Sequence, residues 1–165
     1  MSVTKSIEIA GVDLVALDML ARTMVRCFPS GLVIGLIGTL GAGKTTLVQS
    51  LARSSRIDAS DVTSPTFTLL QSHRGDITIH HCDAYRLADE DEFLELGIDE
   101  LMADKQAWTI VEWADRVRSA MPPETVWLEI RLDGGSQERS LVFTTENRDV
   151  FSAFDQLSDA LNQQA

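Results

Sequence analysis

Residues 38–46 read GTLGAGKTT, and this stretch constrains the fold more tightly than any other. It fits G-x-x-x-x-G-K-[ST], with Gly38 leading, Gly43 and Lys44 in the middle and Thr45 closing. The apolar run Leu32-Val33-Ile34-Gly35-Leu36-Ile37 before it is short enough for a buried parallel strand. After it, Leu47, Val48 and Leu51 recur at helical spacing between Lys44 and Ser54. Strand, glycine-rich loop and helix therefore come in the order a phosphate-binding loop requires. Gly38, Gly41, Ala42 and Gly43 can turn their amides inward as an anion nest, and the helix that follows adds unpaired N–H donors and its positive dipole end. Lys44 supplies a point charge for β- and γ-phosphates. The Thr45 hydroxyl suits a Mg²⁺ ligand, and Thr46 offers a second hydroxyl toward the α-phosphate. Binding of a nucleoside triphosphate is the expectation.

The chain has 165 residues, enough for one domain with a sizeable core, and its 44% hydrophobic and 24% charged content is ordinary for a soluble globular protein. The start, MSVTKSIEIAGVD, lacks the apolar segment of a signal peptide, and no stretch approaches a membrane span. Cys27 and Cys82 have no metal-ligand spacing, which reads as a cytoplasmic protein with free thiols. A net charge of −11 repels phosphate backbones, which argues against tight independent binding of nucleic acid.

Along the chain, Ser6–Ile9 reads as a first strand broken by Gly11, and Asp13 as the N-cap of a helix running to Phe28. Pro65 forces Val62–Phe67 into an extended segment close to the phosphate loop. Thr66 there either reaches Mg²⁺ or the γ-phosphate, as switch loops do, or simply enters a strand. Thr66–Ser72 and Ile77–His81 flank a turn at 73–76 and form a hairpin. His80 and His81 are adjacent, so on a strand they face opposite ways and make a poor metal pair; they read as structural, with one facing the site. An acidic helix at 88–96 ends at Gly97, and a short helix follows at 99–103. Ala107–Val111 is strand-like and Ala114–Ala120 helical. Thr125–Leu132 and Glu138–Thr144 form a second hairpin about Asp133-Gly134-Gly135-Ser136. An amphipathic helix carrying Val150, Phe154, Leu157 and Leu161 follows. The fold class is α/β: one domain over 1–165 with a P-loop NTPase-like mixed sheet, helices on both faces and antiparallel hairpins.

A phosphate loop of this type works with an acid at the end of a neighbouring strand. Asp83 and Glu112 both qualify, as Mg²⁺ contact or as the group that orients the attacking water. The spacing does not divide these jobs. The structural alternative pairs Asp83 with Arg86 and Glu112 with Arg116.

Together, GTLGAGKTT at 38–46, VTSPTFTL at 62–69 and HHCDAYRL at 80–87, supported by LGI at 96–98 and VEWADR at 111–116, resemble the TsaE (YjeE) family of bacterial ATPases. The resemblance implies an ATP-binding P-loop fold with Mg²⁺, held by Thr45 and Glu112. It implies that Asp83 is an essential acid, that Thr66 lies in a switch-like segment, and that Trp113 lies close to the nucleotide. It also implies a coupling role beside the TsaB- and TsaD-type proteins, which transfer threonylcarbamoyl to the adenosine next to the anticodon in tRNAs reading codons that begin with A. The tRNA would be met only through that complex. The residues themselves show no evident lid to exclude water, and Arg86 and Arg116 lie near acids that can engage them, so turnover of the isolated chain is expected to be low and raised by a partner.

Two other classes compete. A small-molecule P-loop kinase would suit the length, but no Arg-rich lid is visible. A nucleotide-gated interaction module would bind ATP with only incidental hydrolysis. A GTPase lacks its Asn-Lys-x-Asp segment here.

Overall fold

The computed structural model describes residues 1–63, 69–135 and 137–163. Among them the strands are β1 (Lys5–Val12), β2 (Val33–Ile37), β3 (Leu70–His73), β4 (Thr78–Asp83), β5 (Ala107–Glu112), β6 (Val126–Leu132) and β7 (Arg139–Thr145). They form one mixed sheet in the order β1-β7-β6-β2-β5-β4-β3. The strand that feeds the glycine-rich loop is central, with β5 parallel on one side and β6 parallel on the other. All six residues of β5 are buried, as expected of an apolar run covered on both faces. The hairpins β3–β4 and β6–β7 are both antiparallel, and β1 closes the second edge against β7.

Helices cover both faces. The helix α1 (Leu14–Cys27) starts where Asp13 accepts the Ala16 N–H at 2.8 Å, the cap read from the sequence. It packs with α2 (Lys44–Ser54) and α5 (Phe151–Asn162) on one face. There Leu17, Leu20, Met24, Leu47, Leu51 and Phe154 meet Ile34, Leu36, Ile110 and Phe143. The short helices α3 (Glu90–Glu95) and α4 (Ile98–Met102) cover the other face, where their Phe93 and Ile98 cluster with Cys82 and Val111 of the sheet. Gly97, at φ 74°, ends α3 as expected.

Two local readings change, and a third falls largely outside the described residues. Gly11 does not break β1: it takes φ 67° inside a register shift between Ile9 and Val12, and the strand resumes pairing at Val12. Residues 114–120 form tight 3-10 turns interrupted at Val117 (φ −126°, ψ 28°). Of the strand expected over Thr66–Ser72, β3 begins at Leu70, directly after Leu69 at φ 43°, and residues 64–68, Thr66 among them, lie outside the described residues. Among the described residues no helix is long and apolar enough to cross a membrane.

Candidate functional site

The phosphate loop leaves the C-terminal end of β2 and enters α2 through Gly43, whose φ of 109° only glycine adopts without strain. Gly38 is required for another reason. A Cβ there would lie 2.8 Å from the Ile130 carbonyl oxygen, which belongs to the next strand. The loop is thus pressed against β6, with Ala42 fully buried behind it.

Lys44 opens α2 and is buried. Its Nζ donates to the carbonyls of Gly38 (2.7 Å) and Thr39 (3.0 Å) and lies 3.9 Å from the centre of the Trp113 ring. Burial pushes its pKa down, while Glu112, Asp83 and Asp115 pull it back up. Next along α2, Thr45 Oγ1 donates to Glu112 Oε1 at 2.8 Å and to Oε2 at 3.1 Å.

Both expected acids end parallel strands. Asp83 closes β4, Glu112 closes β5, and the two are direct register partners. Each is buried. Asp83 Oδ1 accepts the Tyr85 N–H at 2.9 Å, which turns the chain away from the sheet. Glu112 does not pair with Arg116: its carboxylate meets Thr45 and His81, and the Arg116 guanidinium lies over the Tyr85 ring at 5.6 Å. Arg86 lines the same cleft as Asp83.

That cleft, about 390 Å³, brings together Gly41, Gly43, Lys44, Thr45, Thr46, Asp83, Glu112 and Trp113. Gly38 and Ala42 underlie the loop instead of lining it. A second recess of about 370 Å³, between β1, α1 and α5, contains none of these residues.

Of the two adjacent histidines, one of which was expected to face the site, His81 is that one, and Arg139 is a further side chain the sequence did not single out. His81 is fully buried, with Nε2 2.7 Å from Glu112 Oε1. A signal for it existed: it lies two residues before Asp83 on a strand and so shares its face. Arg139, the first residue of β7, donates from Nε to the Ala42 carbonyl at 2.6 Å and lines the cleft. Nothing local marks that contact, because 97 positions separate the two residues.

A hydroxyl and a carboxylate in contact, with a second carboxylate at the neighbouring strand end, are the hard oxygen donors that suit Mg²⁺. Among the described residues no group of three or more His, Cys, Asp and Glu is arranged to hold a metal ion. A cation at Thr45 and Glu112 would therefore complete its shell with water and phosphate oxygens, as Mg²⁺ commonly does.

The family described as "Threonylcarbamoyl adenosine biosynthesis protein TsaE" matches residues 13–141. The chain is similar to the tRNA threonylcarbamoyladenosine biosynthesis protein TsaE of Treponema pallidum, at 40% identity over 114 residues, covering 68% of this chain and 83% of that one. It is similar to the Bacillus subtilis protein of the same name at 38% identity over 115 residues, covering 69% and 70%. The crystal structure of YdiB from Bacillus subtilis matches with a TM-score of 0.77 and 27% identity, over 96% of this chain and 98% of that one.

Proposed function

The chain belongs to the TsaE family of tRNA threonylcarbamoyladenosine biosynthesis proteins, and from that premise we propose that it is a Mg²⁺-dependent ATPase working in the cytoplasm beside the threonylcarbamoyl-transfer proteins of TsaB and TsaD type. The observation that carries the reading is the contact of Thr45 Oγ1 with the Glu112 carboxylate at the mouth of a glycine-rich loop that also carries Lys44.

Each residue has a defined task. The loop amides and the first turn of α2 bind the phosphates. Lys44 exchanges the carbonyls of Gly38 and Thr39 for β- and γ-phosphate oxygens, a move of its flexible tip alone. Thr45 and Glu112 would hold Mg²⁺, which would supply positive charge to the phosphate oxygens. Asp83, on the strand end next to Glu112, is the acid left to orient the attacking water. Trp113 borders the cleft and covers Lys44.

Arg139 is engaged with the loop carbonyl of Ala42 and so gives its charge to the loop backbone. A site of this kind turns over slowly by itself and faster once a partner completes it. A net charge of −11 further favours meeting tRNA through a partner and not directly. The test is steady-state release of inorganic phosphate from ATP, with and without Mg²⁺ and with and without the transferase proteins. Slow Mg²⁺-dependent release, raised by those proteins, is expected. Fast turnover that the transferase proteins leave unchanged contradicts the coupling role, and phosphate transfer to a small metabolite would make the chain a kinase.

A further inference from the structure

We propose that His81 is a positioning residue of the nucleotide site, holding the Glu112 carboxylate in the orientation that receives the cation. It has this role only if Thr45 and Glu112 hold Mg²⁺, as proposed above. On β4, His81 shares a face with Asp83, and the register pairs His81 with Ile110 and Asp83 with Glu112. The imidazole thus lies diagonally across the ladder from Glu112 and reaches its Oε1 at 2.7 Å. Both side chains are closed to solvent, at 0% and 3% exposure, so water does not compete for this bond. A carboxylate only accepts hydrogen bonds, so the ring carries its proton on Nε2.

The other ring nitrogen shows what the residue is for. Nδ1 is buried with no hydrogen-bond partner among the described residues. Leaving a polar atom unpaired in the interior is unfavourable, and an apolar side chain would fill the space without that penalty. The penalty is tolerated for the single bond that Nε2 makes. Adjacent His80 makes the contrast: its Nδ1 meets Ser72 at 2.8 Å and its Nε2 meets Asp104 at 3.3 Å, so both nitrogens are satisfied away from the cleft. Thr45 has to serve the cation as well as the carboxylate, whereas the hydrogen bond His81 makes among the described residues goes to the carboxylate. Donors of this sort, one bond removed from a metal, fix the direction of its ligand's lone pairs.

The experiment is a calorimetric titration of Mg²⁺ into the complex of the full chain with ADP, alongside metal-free ADP affinity and melting temperature. The variants are His81→Leu, His81→Asn, His81→Gln and Glu112→Gln. His81→Leu should weaken Mg²⁺ binding by about 10- to 100-fold and leave metal-free ADP affinity unchanged. His81→Asn, too short to reach Oε1, should behave likewise and stands in for Leu if that variant fails to fold. His81→Gln, whose amide N–H extends as far as Nε2, should restore most of the affinity. Wild-type Mg²⁺ affinity in both Leu and Asn variants, or a Gln variant no better than Asn, would overturn the assignment while a defective Glu112→Gln left the metal site standing. Normal Mg²⁺ binding by Glu112→Gln would instead remove Glu112 as a ligand, and the role of His81 with it.

Discussion

Replacing Arg139 by Met should loosen the phosphate loop from its outer side. In the native protein the guanidinium grips the loop backbone, with Nε 2.6 Å from the Ala42 carbonyl oxygen, while Nη1 bonds the Gln137 carbonyl of its own hairpin at 3.2 Å. It also lies against Gly43, where an added Cβ would come within 3.0 Å of Nε. A hydrogen bond from a charged donor contributes about 1.5–3 kcal/mol net. Spent entirely on holding the loop ready for phosphates, that is about 10- to 150-fold in nucleotide affinity, at about 1.4 kcal/mol per tenfold. Arg139 is only half-buried, and solvent screening places the expected loss near the lower end, about 10-fold. Met keeps much of the aliphatic stem and so isolates the hydrogen bond. The assay is metal-free ADP titration together with thermal melting, with Arg139→Lys as a comparison that recovers only part of the loss because it lacks the planar fork. If Arg139→Met binds ADP as the wild type does and only melts earlier, the bond serves the hairpin and not the loop, and the reasoning fails.

Other consequences are equally direct. Trp113 packs on Lys44 and lies 4.7 Å from Tyr85, whereas Trp108 is buried and donates to the Pro29 carbonyl. ADP should therefore change tryptophan emission, and Trp113→Phe should abolish most of that change; a full signal surviving through Trp108 or Trp127 contradicts this. Burial, with Asp83 and Glu112 adding to it, pushes the Cys82 thiol up to about 12, so only Cys27 should react with a thiol reagent near neutral pH until the protein is unfolded. Two fast thiols in the folded protein would be inconsistent with that burial. The hydrogen bonds from Arg53 and Ser50 hold the Asp18 carboxyl below its ordinary 3.8. A depressed acid stabilises the fold above its unfolded pKa and loses that contribution as pH falls through the folded value. Asp18→Asn should thus cost about 0.5 kcal/mol near neutrality, after screening, and flatten the acid limb of denaturation curves; parallel acid limbs would contradict it.

The glycine-rich loop and its helix were legible because the G-x-x-x-x-G-K-T spacing falls between an apolar run and a helical period, and α2 occupies Lys44–Ser54 as that period indicated. Asp83 and Glu112 were legible as acids at the ends of apolar runs, and the sheet makes them register neighbours. What escaped depends on partners distant in sequence. Gly11 reads alike as a break or a bulge until β7 is seen to continue pairing past it. The period of residues 114–120 is helical, yet Val117 leaves helical geometry. Strand parity separated His80 from His81 but did not say which face carried the site, because that requires knowing where β5 lies. Arg139 had no local mark at all, its contact being made past β6 to the loop that follows β2. Thr66 is not among the described residues.

The most direct test of the account is multi-cycle formation of threonylcarbamoyladenosine on tRNA by the transferase proteins, supplied with ATP and either this chain or its Lys44→Ala variant. Lys44 is the buried cation of the phosphate loop, and losing it removes charge-assisted bonds worth about 1.5–3 kcal/mol each without altering the loop's glycines. With the wild-type chain, modification should continue over many cycles while ATP is consumed. With Lys44→Ala, shown by melting to be folded, it should stall after the first cycle. Equal multi-cycle modification with both proteins would contradict the claim that nucleotide turnover at this loop sustains the reaction.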